Sequence, residues 1–207
     1  MEPPTCLIIA NGPWPASGVM EAALKGPAIV LACDGAVASC MKHNLDVHAV
    51  VGDLDSLDAE TFALLAGMRV IERLDQDSND LSKAIDYALD QGHTNLRIVG
   101  ATGGDVQHEW ANILECARRT VNIEMLGERG RFCFLVSKEQ HTLQVNKEGT
   151  FSLMALNEVA GLNLGGALYS LTDDELGMGS RGLHNVATDS QIKVRYDSGR
   201  LVVVLPM

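Results

Sequence analysis

AVVGDLDSLDAE (residues 49–60) and ERLDQDSNDLSKAIDYAL (residues 72–89) are the two stretches from which the rest of the chain can be read. In the first, Asp53 and Asp55 stand one residue apart after the apolar run Ala49-Val50-Val51. Gly52 permits a sharp exit from that run. In the second, Asp75, Asp77 and Asp80 precede Leu81, Ala84, Ile85, Ala88 and Leu89, which recur at helical spacing. Taken alone, Asp77 followed by Asp80 has the look of a helix N-cap with its reciprocal partner. Two such clusters, each following a predicted strand, repel one another unless a cation sits among them. Mg²⁺ takes one or two carboxylates directly and keeps places for water and phosphate oxygens. Ligands of open α/β sheets gather at the carboxyl ends of the strands. The two stretches together point to a site for a nucleoside triphosphate.

The flanking sequence supplies the strands of such a sheet. Apolar runs at Cys6 to Ala10, Ala28 to Cys33, Val47 to Val51, Arg69 to Ile71, Leu96 to Val99 and Val121 to Leu126 read as strands. Helical segments at 20–25, 37–41, 59–66, from 81 onward and at 108–119 alternate with them, the pattern of a mostly parallel α/β sheet with flanking helices in three layers. Four strands end in Asn11-Gly12, Asp34-Gly35, Gly52-Asp53 and Gly100-Ala101-Thr102-Gly103-Gly104, so these turns line one edge. After Gly130 the texture changes. The runs 132–136, 141–145, 150–156, 191–196 and 201–205 are β-like and separated by Gly, Asn and Asp, which predicts a C-terminal all-β sandwich. The expected boundaries are 1–130 and 131–207.

Composition narrows the function classes. The chain has 207 residues, enough for one large or two small domains, and 46% hydrophobic residues, so it folds to a core. A net charge of −11 argues against general nucleic-acid or anionic-membrane binding. Five cysteines without a C-x-x-C pair read as reduced thiols of a cytoplasmic protein. The N-terminal MEPPTCLIIANGPWP has neither the basic region nor the apolar length of a leader.

Several patterns fail on context. There is no G-x-x-x-x-G-K-[ST] loop. Gly177 to Gly182 matches G-x-G-x-x-G but lies in the β-rich half, where it reads as turns. His108-Glu109 begins like a zinc protease motif, but Asn112 stands where the second His belongs.

The chain resembles the thiamine pyrophosphokinase family along nearly its whole length. The matching segments are Ala32-Cys33-Asp34-Gly35-Ala36, Gly52-Asp53-Leu54-Asp55-Ser56, Asp75 to Leu81, Gly100 to Gly104 with His108 and Ala111-Asn112-Ile113, then Phe151-Ser152-Leu153 and Gly166 to Leu171. The resemblance implies transfer of a pyrophosphoryl group from ATP to the hydroxyl of thiamine, with release of AMP, by a homodimer with substrate sites between subunits. It implies that Asp53, Asp55 and Asp80 are the catalytic, Mg²⁺-binding carboxylates. It implies that Asp34, Gln76, Asp77, Thr102, Gly103 and Gly104 lie on the ATP side, and Tyr169, Ser180, His184 and Asn185 on the thiamine side. Two places depart from the family pattern. Gly-Gly-Arg-x-Asp-His becomes Gly103-Gly104-Asp105-Val106-Gln107-His108, and a Ser-Asn pair becomes His184-Asn185. The alternatives are a pyrophosphokinase for another hydroxymethyl heterocycle, an inactive nucleotide-sensing module, and a haloacid-dehalogenase-like phosphatase, whose D-x-D-x-[TV] loop Asp53 to Leu57 partly matches.

Overall fold

The computed structural model describes residues 5–55 and 57–207. Ser56 of the Gly52-to-Ser56 motif, and the first four residues of the N-terminal stretch, lie outside the described residues. The chain divides into two compact units: Met1–Cys116 with Ile123–Glu128, and Ala117–Asn122 with Arg129–Met207.

In the first unit the strands are β1 (Thr5–Ile9), β2 (Pro27–Cys33), β3 (Ala49–Gly52), β4 (Val70–Glu72), β5 (Asn95–Val99) and β6 (Asn122–Gly127). They stand in the order β6-β5-β1-β2-β3-β4. β1 pairs in parallel with both β2 and β5, and β2–β3 and β3–β4 are also parallel. Cys6, Leu7, Ile8 and Ile9 are each at most 1% exposed, as are Val50 and Val51. Successive strand residues face opposite sides, so burial of all of them means that both sheet faces are covered and the unit is three-layered. The covering helices are α1 (Ser17–Ala23), α2 (Val37–Lys42), α3 (Ala59–Leu64), α4 (Asp80–Asp90) and α5 (Val106–Ala117). α4 turns Leu81, Ala84, Ile85 and Ala88 inward, as their spacing dictates.

The chain steps outward through β1, β2, β3 and β4, then returns to lay β5 on the other side of β1. The direction of winding therefore reverses between β1 and β5, where the crossovers diverge and a crevice opens. Backbone contact is close at that point. A Cβ on Gly12 would lie 2.2 Å from Gly100 O, and Gly100 itself holds φ +69°. Only glycine fits at either place.

The second unit contains β7 (Gly130–Phe134), β8 (His141–Gln144), β9 (Thr150–Ala155), β10 (Val159–Gly165), β11 (Leu171–Leu176), β12 (Asn185–Val186), β13 (Gln191–Arg195) and β14 (Leu201–Leu205). Two sheets, β12-β9-β14-β7 and β11-β10-β13-β8, share one core that includes Phe151, Leu153, Leu162, Ile192, Val203 and Leu205. This is the expected sandwich. The sequence did not mark β10, β11 and β12. β11 is an edge strand with Thr172, Asp173 and Glu175 exposed, and charge on an edge is what blocks further pairing. β12 has only two residues, too few for any alternation to show. The Gly177-to-Gly182 segment connects β11 to β12 as turns, and a Cβ on Gly182 would meet Leu153 O at 2.1 Å.

Candidate active site

Two strand ends and the start of α4 bring carboxylates together. Asp34 follows β2, Asp53 follows β3, and Asp80 opens α4; ligand oxygens from all three lie within 4.8 Å of one another. Asp34 is fully buried. Its carboxylate accepts from Gly35 N at 2.6 Å and from Leu54 N at 2.9 Å, so it fixes the turn that carries Asp53. Gly52 is required there, since a Cβ would fall 2.2 Å from Asp34 Oδ2. Asp55 stands beside Asp53, its N–H 3.4 Å from Asp53 Oδ1, and is exposed. Its hydrogen-bonded contact with the Asp53 carboxyl holds the Asp55 pKa above the usual aspartate value. Gln76 Nε2 lies 3.4 Å from Asp53 Oδ2.

Lys83, which the sequence reading passed over, lies at the centre of this group. It is 5% exposed, with Nζ 2.5 Å from Asp53 Oδ2 and 3.2 Å from Asp80 Oδ1. Burial pulls the Lys83 ammonium down, but the hydrogen bonds to Asp53 and Asp80 outweigh it and its pKa stands above the ordinary lysine value. The Lys83 hydrogen bond holds Asp53 below the usual carboxylate range. Burial, then the neighbouring Asp34 charge, push Asp80 above it. The available signal was a lysine in the first turn of an amphipathic helix, three residues after an aspartate. Three carboxylates against one ammonium leave two negative charges, and oxygens at this spacing fit a hard divalent cation.

Asp77 does not cap α4. The N-cap is Asn79, whose Oδ1 accepts from Ser82 N at 2.9 Å. Asp77 is exposed, and its N–H donates to Asp75 Oδ1 at 3.0 Å; Ser78 Oγ also bonds to Asp75. Asp75 and Asp77 thus shape the loop, while Asp80 alone of that stretch joins the cluster.

Beside the carboxylates a cavity of about 230 Å³ opens at the ends of β1 and β5, where Asn11, Gly12, Asp80, Thr102, Gly104 and His108 are among its walls. Asn112 donates from Nδ2 to Ala101 O at 3.1 Å and accepts from Asn79 Nδ2 at 3.0 Å, joining the glycine loop to the start of α4. Gly103 N–H is engaged by Glu109 Oε2 at 2.8 Å. Asp105, the departure in the glycine loop, caps α5: its Oδ1 accepts from Gln107 N at 2.8 Å and His108 N at 3.2 Å.

The residues expected on the thiamine side, Tyr169, Ser180, His184 and Asn185, lie in the second unit. Leu153, Leu168, Tyr169, Arg181, Leu183 and Asn185 are among those lining a cavity of about 590 Å³. Tyr169 is 67% exposed and Leu168 58%, so an apolar wall faces outward. Asn185 is buried and bonds to its own fold: Oδ1 accepts from Tyr169 N (3.1 Å) and Val186 N (2.8 Å), and Nδ2 donates to Tyr169 O (2.9 Å). It fixes the backbone beneath the Tyr169 ring. His184 is exposed with φ +54°, and its N–H reaches Ser152 Oγ at 3.2 Å; Ser180 is exposed in the preceding turn.

A three-layer sheet with carboxylates at its strand ends and a glycine loop at the switch point is the arrangement in which open α/β folds bind nucleotides. The description "Thiamin pyrophosphokinase, catalytic domain" matches residues 20–125, and "Thiamin pyrophosphokinase, vitamin B1 binding domain" matches residues 140–201. The chain belongs to the thiamine pyrophosphokinase family, and its activity is ATP-dependent pyrophosphoryl transfer to thiamine. Among solved structures it is similar to thiamine pyrophosphokinase from Bacillus subtilis (TM-score 0.82, 18% identity, 98% of this chain and 99% of that one). It is similar also to the enzyme from Geobacillus thermodenitrificans (0.80, 22%, 98% and 97%). A third similar structure is thiamin pyrophosphokinase from Candida albicans (0.79, 16%, 100% and 90%). At these identities the structures establish the fold. Comparison with curated protein sequences gave no match. The phosphatase-like resemblance is confined to five residues, whereas the family match spans both units.

Proposed function

We propose that ATP enters the cavity at the ends of β1 and β5, with Asp53 and Asp80 holding Mg²⁺. Asp34 fixes the Asp53 turn, and Asp55 and Gln76 flank Asp53. The single observation that carries this reading is the Asp53–Lys83–Asp80 group, built on the buried Lys83 beside the cavity. Mg²⁺ bound there would supply charge neutralisation and in-line positioning of the triphosphate. Lys83 bridges two adjacent carboxylates and aims them at one point. Thr102, Gly103 and Gly104 offer backbone N–H groups to the phosphates, and Asp77 shapes the loop that carries Gln76.

Thiamine stacks its rings against Tyr169 in the cavity of the second unit, with Ser180 and His184 at the rim and Asn185 holding the tyrosine backbone. Apolar walls with few polar groups suit a small heterocycle. The enzyme works as a homodimer in the cytoplasm; the five cysteines are all buried and none is in a disulfide, as a reducing compartment keeps them. No helix among the described residues is long and apolar enough to cross a membrane.

The deciding experiment is AMP release from ATP, with and without thiamine, across a Mg²⁺ titration. Release that requires both thiamine and Mg²⁺ supports the assignment. Metal-independent release would rule out the carboxylate site.

A further inference from the structure

In the glycine loop Gly103 stands between Thr102 and Gly104, both of which line the nucleotide cavity, and its N–H has an anionic partner, Glu109 Oε2 at 2.8 Å. Glu109 lies in the first turn of α5 and lines the cavity with Thr102, Gly104, Asp105 and His108. Among the described residues lining this cavity there is no lysine or arginine. Asp105 is committed to the two N–H groups it caps. Glu109 is different: it reaches from the helix back to the loop on a side chain with several rotatable bonds. A phosphate oxygen and a carboxylate oxygen cannot share one N–H, and like charges a few ångströms apart repel.

We propose that Glu109 is an internal competitor for the nucleotide's phosphates, occupying the Gly103 amide until an incoming phosphate displaces it. This rests on the reading of that cavity as the ATP site. The consequence is selectivity by charge. A nucleotide whose phosphates are neutralised by a divalent cation displaces Glu109 more readily than a bare one, so Glu109 makes donor binding depend on metal. The cost is weaker nucleotide affinity than the loop alone would give.

The test is calorimetric binding of ATP, with and without Mg²⁺, and of adenosine to the parent protein, Glu109→Gln and Glu109→Ala. Thermal melts verify that each variant is folded; a small loss of melting temperature is expected, since a carboxylate in the first turn favours a helix. Both variants should bind ATP about tenfold tighter, equivalent to about 1.4 kcal/mol. The gain should be larger without Mg²⁺ than with it, and adenosine, which has no phosphate, should bind as before. If Glu109 only braces the loop, Glu109→Gln will bind ATP like the parent and Glu109→Ala will bind it less tightly, and the proposal falls. An equal gain for adenosine would also overturn it, since the effect would then be steric. The Gly103 amide resonance of the parent separates the two levels. If Mg²⁺–ATP binds without shifting it, the cavity assignment fails and the competitor with it. If the resonance shifts but neither variant binds more tightly, only the competitor is wrong.

Discussion

Lys83 Nζ lies 2.5 Å from Asp53 Oδ2, with the lysine side chain 4% exposed and the aspartate 12%. A buried ion pair is weak evidence of net stabilisation, but removing one partner strands the other charge out of water. Lys83→Met therefore leaves Asp53 and Asp80 facing each other without a counter-charge. The expected loss is about 3 kcal/mol of unfolding free energy, the low end for a broken buried pair because Asp80 is partly exposed. Saturating Mg²⁺ should recover part of it, since a cation that binds only the folded state stabilises by mass action. Urea melts with and without Mg²⁺ check this. A variant as stable as the parent in the absence of metal would contradict the role given to Lys83.

Asp53→Asn and Asp80→Asn each remove one negative charge from the cluster while keeping its volume. Turnover should fall by about 100-fold or more in each, the scale of losing one preorganised electrostatic group. Calorimetric Mg²⁺ affinity should drop with it, and circular dichroism should be unchanged. Full Mg²⁺-dependent turnover in both variants would remove these carboxylates from the metal site.

Gly52→Ala acts through Asp34. The added Cβ would sit 2.2 Å from Asp34 Oδ2, and the fully buried aspartate has nowhere to retreat. Its bond to Leu54 N should break and the Asp53 turn should shift. Metal affinity should fall more than global stability does. A crystal structure of the variant with Asp34 unmoved would refute this.

Asp105 gives a pH dependence of known sign. The N–H groups of His108 and Gln107 hold its carboxyl below the ordinary aspartate value of 3.8. In the folded state it binds its proton less tightly than in the unfolded state, so its contribution is complete above that ordinary value. It is lost as pH falls through the lowered one. Asn caps about as well without titrating. Melting curves of the parent and Asp105→Asn should therefore converge or cross as the solution is acidified through this window, while staying parallel at neutral pH. Parallel behaviour down to the lowest pH would show that the cap carries no linked proton.

Asn185→Ala removes three hydrogen bonds that hold Tyr169 and Val186. Buried groups left unpaired cost about 1–3 kcal/mol each at most, and solvent entry will soften this. KM for thiamine should rise while KM for ATP stays almost constant. The opposite split would exchange the roles of the two units.

Much of this protein was legible in its sequence because the signals are local. Alternation of short apolar runs with helical spacing fixed the α/β unit. The loss of helical periodicity after Gly130 fixed the β unit, and acidic residues at strand ends marked the edge where the carboxylates gather. Strands without apolar alternation, β11 above all, gave no such signal, because an edge strand meets its requirements with charge. The composition of the carboxylate cluster was a different kind of question. The chain offers Asp34, Asp53, Asp55, Asp75, Asp77 and Asp80 near strand ends, and the sequence grouped Asp53 with Asp55 and Asp80. In the fold the tight group is Asp34, Asp53 and Asp80, with Lys83 between two of them and Asp55 to one side. That outcome depends on the laying of β2 beside β3 and on the approach of α4 to both, which are pairings between distant parts of the chain. Backbone preference acts over a few residues and is written in the local sequence. The distance between two charges is set by strand order and packing, so only the tertiary structure could decide it.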